Sequence, residues 1–180
     1  MPNYQRIIIS NEMLAYATEA SHHTSVNRTI ASPFDTVSGL LGELAFGEWL
    51  LGDWRKHDLY NTKGKSDFFN EIEIKTSAFP FSDRLNLLVR EDYAKKRKPK
   101  FYVQTILNLP NRDIKVINAG LEIILAGYAT ALEIDAAPLK DFGSKFGGKG
   151  GYRCHFIQIS KLKDMATFKA AYEQIKTGLS

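Results

Sequence analysis

Residues 65–77 read Lys65-Ser66-Asp67-Phe68-Phe69-Asn70-Glu71-Ile72-Glu73-Ile74-Lys75-Thr76-Ser77, and the alternation in their second half decides how the chain folds. Side chains along a strand point to opposite faces in turn. Ile72 and Ile74 therefore enter a core, while Glu71, Glu73, Lys75 and Ser77 share the other face. Two acids and a lysine on one strand face form a place where a divalent cation and a phosphate can sit together. Carboxylate oxygens suit magnesium, which keeps several waters and takes one or two protein carboxylates. The ammonium can hold or activate a metal-bound water, or neutralise charge on the phosphate.

Asp67 is the natural second carboxylate, and the turn decides its face. With a three-residue loop, Phe69-Asn70-Glu71, Asp67 lies opposite Glu73 on the polar side. With a two-residue loop, Phe69-Asn70, it lies opposite Ile72 and turns to the core. The three-residue loop is the expectation, although such loops prefer Gly or Asn at the last position, where this chain has Glu71.

Upstream, Asp35–Leu51 is the strongest helix, with Val37, Leu40, Leu41, Leu44, Ala45, Trp49 and Leu50 as its apolar stripe. Asp35 or Thr36 can cap it and Gly52 can close it. Glu43 projects from this stripe, and Gly39, Gly42 and Gly47 would let the helix approach a sheet closely. A carboxylate there is costly unless it meets a metal, water or a cation. Before this helix, Gln5–Ile9 reads as a strand and Asn11–Ser21 as a helix capped by Ser10 or Asn11. After it, residues 54–77 read as strands separated by turns at Asn61–Lys65 and near Asn70. Arg84–Val89 fits a strand or a helix start, and Glu91–Arg97 a short helix ended by Pro99. Phe101–Leu107, Ile114–Ile117, Leu121–Thr130 and Tyr152–Ile159 read as strands, and Asp164–Thr177 as a closing helix. The order of elements from 35 to 108 predicts an α/β sandwich around a mixed sheet.

Asp67 followed by Glu73-Ile74-Lys75 resembles the Asp…(Asp/Glu)-x-Lys signature of the PD-(D/E)xK nuclease superfamily. Gly42-Glu43-Leu44-Ala45 resembles the helical glutamate motif that many members carry before the core strands. The resemblance covers roughly residues 35–108, with Ser66 standing where the signature has proline. It implies a restriction-endonuclease-like α/β/α sandwich with a central mixed β-sheet, to which residues 109–180 add C-terminal strands and a helix within one domain. It also implies hydrolysis of DNA phosphodiesters with magnesium, or manganese in its place. By this carry-over Asp67 and Glu73 ligate the metal, and the Ile74 carbonyl adds a ligand. Lys75 positions the attacking water, and Glu43 joins through a water or a second metal. A second Asp-x-Lys, Asp113-Ile114-Lys115, follows a Pro-Asn-Arg turn and has no helix glutamate feeding into it. The bland alternative for residues 67–75 is a surface hairpin whose charges pair along or across strands.

Composition sets the outer bounds. With 180 residues, 44% hydrophobic and 24% charged, the chain can bury a core without staples. One cysteine, Cys154, excludes an internal disulfide and a Cys-cluster zinc site, and it reads as a core thiol. No run approaches a membrane span, and the N-terminal apolar run is too short for a secretory signal, so the expected setting is cytoplasmic with no membrane partner. The net charge of +4 permits a polyanionic partner without demanding one. Its distribution says more: Lys95, Lys96, Arg97, Lys98 and Lys100 put five basic groups in six positions. Lys145 and Lys149 lie in a glycine-rich segment that falls short of a phosphate-binding P-loop, because Gly150 stands where Ser or Thr must hold magnesium. Both sets are candidate DNA contacts, against the plainer reading of solvated faces. A homodimer is the expectation if both strands are cut.

His22, His23, His57 and His155 show no metal-ligand spacing and read as surface or packed histidines. Gln104 either edges the cleft or is a satisfied structural glutamine. Phe79, Phe81 and Tyr93 could stack on bases or pack a lid. Two rivals stand beside the nuclease reading: a non-catalytic nucleic-acid-binding protein that keeps the fold, and an unrelated soluble α/β protein.

Overall fold

The computed structural model describes residues 3–24, 32–61, 65–92, 98–142 and 152–178. In chain order the elements are β1 (Gln5–Ile8), α1 (Asn11–Thr24), α2 (Pro33–Leu51), β2 (Ile72–Phe79), β3 (Asn86–Arg90), β4 (Phe101–Asn108), β5 (Glu122–Thr130), α3 (Ala131–Ala136), β6 (Leu139–Asp141), β7 (Arg153–Gln158) and α4 (Phe168–Lys176). A four-stranded sheet has the order β1-β5-β4-β2, and a three-stranded sheet the order β3-β7-β6. The first is mixed, since β2 runs parallel to β4 while β1, β5 and β4 pair antiparallel.

Local chemistry sets the helix ends. Ser32 caps α2, its hydroxyl accepting from the Asp35 N–H at 3.1 Å, so Asp35 belongs to the first turn and is not the cap. Gly52 closes α2 with φ 75°, its N–H reaching the Glu48 carbonyl at 2.9 Å. Ser10 caps α1 through the Met13 N–H. Thr130 and Glu133 form a capping box that starts α3, an element unmarked by any apolar periodicity.

The main core lies on one face of the mixed sheet. Ile72, Ile74, Phe101, Val103, Leu107, Ile123 and Leu125 meet Leu41, Leu44 and Ala45 of α2 there. Phe168 of α4 is fully buried among the rings of Phe46, Phe101 and Tyr128. Burying such a side chain stabilises the fold by roughly 1.5–3 kcal/mol. The other face is covered differently from a helical sandwich. Tyr102 and Ala129 pack on Leu87 and Val89 of the second sheet and on Ile134 of α3. A three-stranded sheet and one short helix thus occupy the layer where a second set of helices was expected.

Two strand expectations fail. Trp54–Lys56 and Leu59–Asn61 are 3₁₀ turns, because Asp53 and Asp58 side chains accept from the Arg55 and Tyr60 N–H groups and offer the backbone a local alternative. Residues 114–117 are irregular; Ile114 and Ile117 anchor the segment on the core while Val116 is exposed. β5, from the segment after residue 108, is buried between β1 and β4. Among the described residues no helix is long and apolar enough to cross a membrane.

Candidate active site

The hairpin before β2 has the three-residue loop. Phe68 faces Ile72, exchanging backbone hydrogen bonds of 3.0 Å in both directions, which leaves Phe69, Asn70 and Glu71 outside the pair. Asp67 therefore falls opposite Glu73. The positive φ angles sit at Phe69 (53°) and Asn70 (57°), not at Glu71. The Glu71 N–H returns to the Phe68 carbonyl at 2.9 Å, so the two central residues of a tight turn carry the left-handed backbone.

β2 is an edge strand, and charges from α2, the hairpin and β2 itself bear on one another there. Glu73 and Lys75 lie on one face of β2. Asp67 lies beyond the edge, its Oδ2 accepting from the Ile74 N–H at 2.7 Å. Glu43 comes from α2, which packs on the opposite face through Ile72 and Ile74. The N–H and C=O of one residue in a strand point the same way, so the Ile74 carbonyl also faces the free edge, beside Asp67.

The close approach of α2 depends on Gly42. A Cβ there would collide with the Thr76 hydroxyl and come within 2.6 Å of the Thr105 hydroxyl. Those two hydroxyls bond each other at 2.9 Å beneath the helix. Gly47 is a milder case, and Gly39 has nothing within 4 Å of a built Cβ.

The electrostatics are those of crowded negative charge. Burial, then the Glu43 and Glu73 carboxylates, push the Asp67 carboxyl well above the ordinary range, against the Ile74 N–H and the Lys75 ammonium. Glu73 Oε1 accepts from Lys75 Nζ at 2.8 Å. Glu73 Oε2 is buried with no hydrogen-bond partner among the described residues. Tyr102, which pairs in register with Glu73, is raised to about 12 by burial and then by Glu73 and Asp135. Gln104 pairs in register with Lys75 and donates to Ser77 Oγ (3.3 Å) and to the Thr105 carbonyl (2.8 Å). It is a satisfied, buried glutamine on the face that carries Lys75.

A cation would relieve this arrangement. Among the described residues no three His, Cys, Asp or Glu side chains form a ready-made metal cage. The donor set fits the lighter demand of magnesium, one or two carboxylates plus waters. Asp67 and Glu73 answer that demand, with an orphaned oxygen on Glu73 and a repelled charge on Asp67.

No family model, no curated protein and no solved structure matches the chain.

The other expected residues fall in various places. Lys98 is exposed, and Lys100 is exposed and paired with Glu71 at 2.7 Å, at the hairpin end of β2 and β4. Lys95, Lys96, Arg97, Lys145, Lys149 and Tyr93 lie outside the described residues. Phe81 packs on Tyr4 with ring centroids 4.9 Å apart, whereas Phe79 is exposed at the end of β2. Asp113 and Lys115 sit in the irregular segment between β4 and β5. Cys154 is buried, which pushes its thiol up.

Sequence reasoning missed His57. Its ring is buried, bonds Glu43 Oε2 through Nε2 at 3.0 Å and stacks on Phe68. Burial pulls the imidazole down to about 4, with Asp58 acting the other way. No periodicity or motif links position 57 to position 43, so only the packed structure reveals the contact.

Proposed function

We propose that this chain is a magnesium-dependent phosphodiester hydrolase acting on DNA, of the PD-(D/E)xK type in a restriction-endonuclease-like arrangement. The observation that carries the reading is that the Glu43 and Glu73 charges both bear on a half-buried Asp67 beside Lys75, at the free edge of one strand. A surface hairpin with a simple ion pair has no need of a third carboxylate brought from a helix on the far face. It also leaves the orphaned oxygen of Glu73 unexplained.

Asp67 and Glu73 would hold the ion directly, with the Ile74 carbonyl at the same edge and Glu43 acting through a water. Magnesium, or manganese in its place, supplies an acidified water and neutralises charge on the phosphate. Lys75, now tied to Glu73, donates hydrogen bonds to the attacking water and to phosphate oxygens. Its charge matters most as negative charge builds in the transition state. DNA as substrate rests on the family resemblance and on the basic run that leads into β4.

Cleavage of supercoiled and linear plasmid with and without magnesium or manganese tests the reading. Glu73→Ala is expected to abolish cutting with the fold intact, since the side chain lies on the polar face of β2. Lys75→Ala should lower turnover by about 10²–10⁴-fold with little effect on DNA binding. Equal cutting by Glu73→Ala and the wild type overturns the site. Metal-dependent DNA binding without cleavage would identify a non-catalytic binding protein instead.

A further inference from the structure

His57 follows the 3₁₀ turn Trp54–Lys56 and is 6% exposed. Its ring touches both elements that deliver acids from outside β2. On one edge Nε2 lies 3.0 Å from Glu43 Oε2. On one face the ring stacks on Phe68, centroids 3.9 Å apart and planes 14° from parallel. Phe68 is the neighbour of Asp67 and is clamped to Ile72 by two backbone hydrogen bonds. Gly47, one turn beyond Glu43 on α2, leaves room for this packing; a Cβ there would stand 3.3 Å from His57 Cβ and 3.6 Å from Phe68 Cζ.

We infer that His57 is a positioning residue, a wedge that sets the Glu43 carboxylate against Asp67 so that both can serve one divalent cation. The inference rests on the metal-site reading above. The residue type fits the task. A ring N–H donated to Glu43 Oε2 fixes the orientation of that carboxylate. A lysine or arginine in its place would cancel the charge that the cation needs. A partner that orients a metal-site carboxylate in this way changes metal affinity by about 10–100-fold when it is lost.

The test separates the bond from the packing. His57→Phe keeps a flat ring against Phe68 and loses the donor; His57→Gln keeps a donor and loses the stack. Manganese binding is measured by electron paramagnetic resonance on the full chain without DNA, and thermal unfolding reports folding. Expected is a loss of about tenfold or more in manganese affinity for His57→Phe, with partial recovery in His57→Gln. In a Glu43→Gln background the same His57→Phe change should have no further effect, because the histidine acts through Glu43. On DNA, His57→Phe should lower kcat more than it changes KM. Wild-type manganese affinity in a folded His57→Phe protein overturns the inference. So does an equal loss in the Glu43→Gln background, which would mark a packing role only. A wild-type protein that binds no manganese removes the metal-site reading itself and this inference with it. Those results are distinct, because the former require normal binding by the wild type.

Discussion

Under the proposed function, Asp67 is where catalysis and stability oppose each other. Its folded-state carboxyl lies well above the ordinary value, through burial first and then Glu43 and Glu73. The folded chain therefore binds that proton more tightly than the unfolded chain does. The resulting stability is present below the ordinary carboxylate range and is lost as pH rises through the raised folded value. Asp67→Asn keeps an oxygen for the Ile74 N–H and removes the repelled charge. Metal-free Asp67→Asn is expected to unfold at higher temperature than the wild type at neutral pH, by the equivalent of about 0.5–2 kcal/mol. The difference should shrink as pH falls, and cleavage should be lost throughout. Calorimetry of both proteins across pH checks this. An Asp67→Asn protein less stable than wild type at neutral pH would show that Asp67 is not electrostatically frustrated.

At the scale of elements, the contact between α2 and the sheet holds Glu43 in place. Gly42→Ala drives a methyl into the Thr76 and Thr105 hydroxyls, and should destabilise by about 1–3 kcal/mol in urea unfolding. Gly39→Ala, which meets nothing within 4 Å, should be neutral or stabilising by about 0.5–1 kcal/mol as an ordinary helix substitution. If the two changes cost the same, Gly42 is not a spacing residue. The hairpin shows what the sequence could and could not tell. Its register was legible because Phe68 and Ile72 are both apolar and both buried, which fixes Asp67 opposite Glu73. The place of its backbone strain was not. Phe69 adopts a left-handed φ that costs of order 1–3 kcal/mol for a side chain of its kind. Its ring lies against Tyr172 of α4, with centroids 5.9 Å apart, a contact between distant positions that no local pattern encodes. The 3₁₀ turns of residues 54–61 escaped for a related reason. Their aspartates act on the backbone, while their apolar residues, Trp54 and Leu59, are buried much as strand residues would be.

At the scale of the molecule, the last member of the basic run, Lys100, pairs with Glu71 at the hairpin end of β2 and β4. Phosphate contacts release counterions, so DNA affinity should fall steeply with salt. Measured in calcium to hold off cleavage, a variant neutralised at Lys95, Lys96, Arg97 and Lys98 should show a log–log salt slope reduced by about one per lost contact. A Lys145 and Lys149 variant probes the glycine-rich segment in the same way. An unchanged slope in the first variant makes the run a solvated face, and an unchanged slope in both places the DNA path elsewhere. The overall plan was legible as an α/β chain with a mixed sheet. The second sheet was not, because among the described residues β3 pairs only with β7, more than sixty positions later, and strand pairing at that distance leaves no trace in composition.

The route from β2 to β4 passes through β3, which belongs to the other sheet. The crossover that closes the parallel pair is thus itself a structural member of the second layer. The two layers share one continuous stretch of chain between Lys75 and Gln104, and are expected to open together. Backbone amides of β2, β4 and β7 should consequently exchange with deuterium through one shared opening, with a common free energy and a common denaturant dependence. Protection in β7 that collapses while β2 and β4 remain closed would show two independent units. A single shared opening would mean that the acid cluster inherits its rigidity from the whole chain, not from the hairpin that displays it.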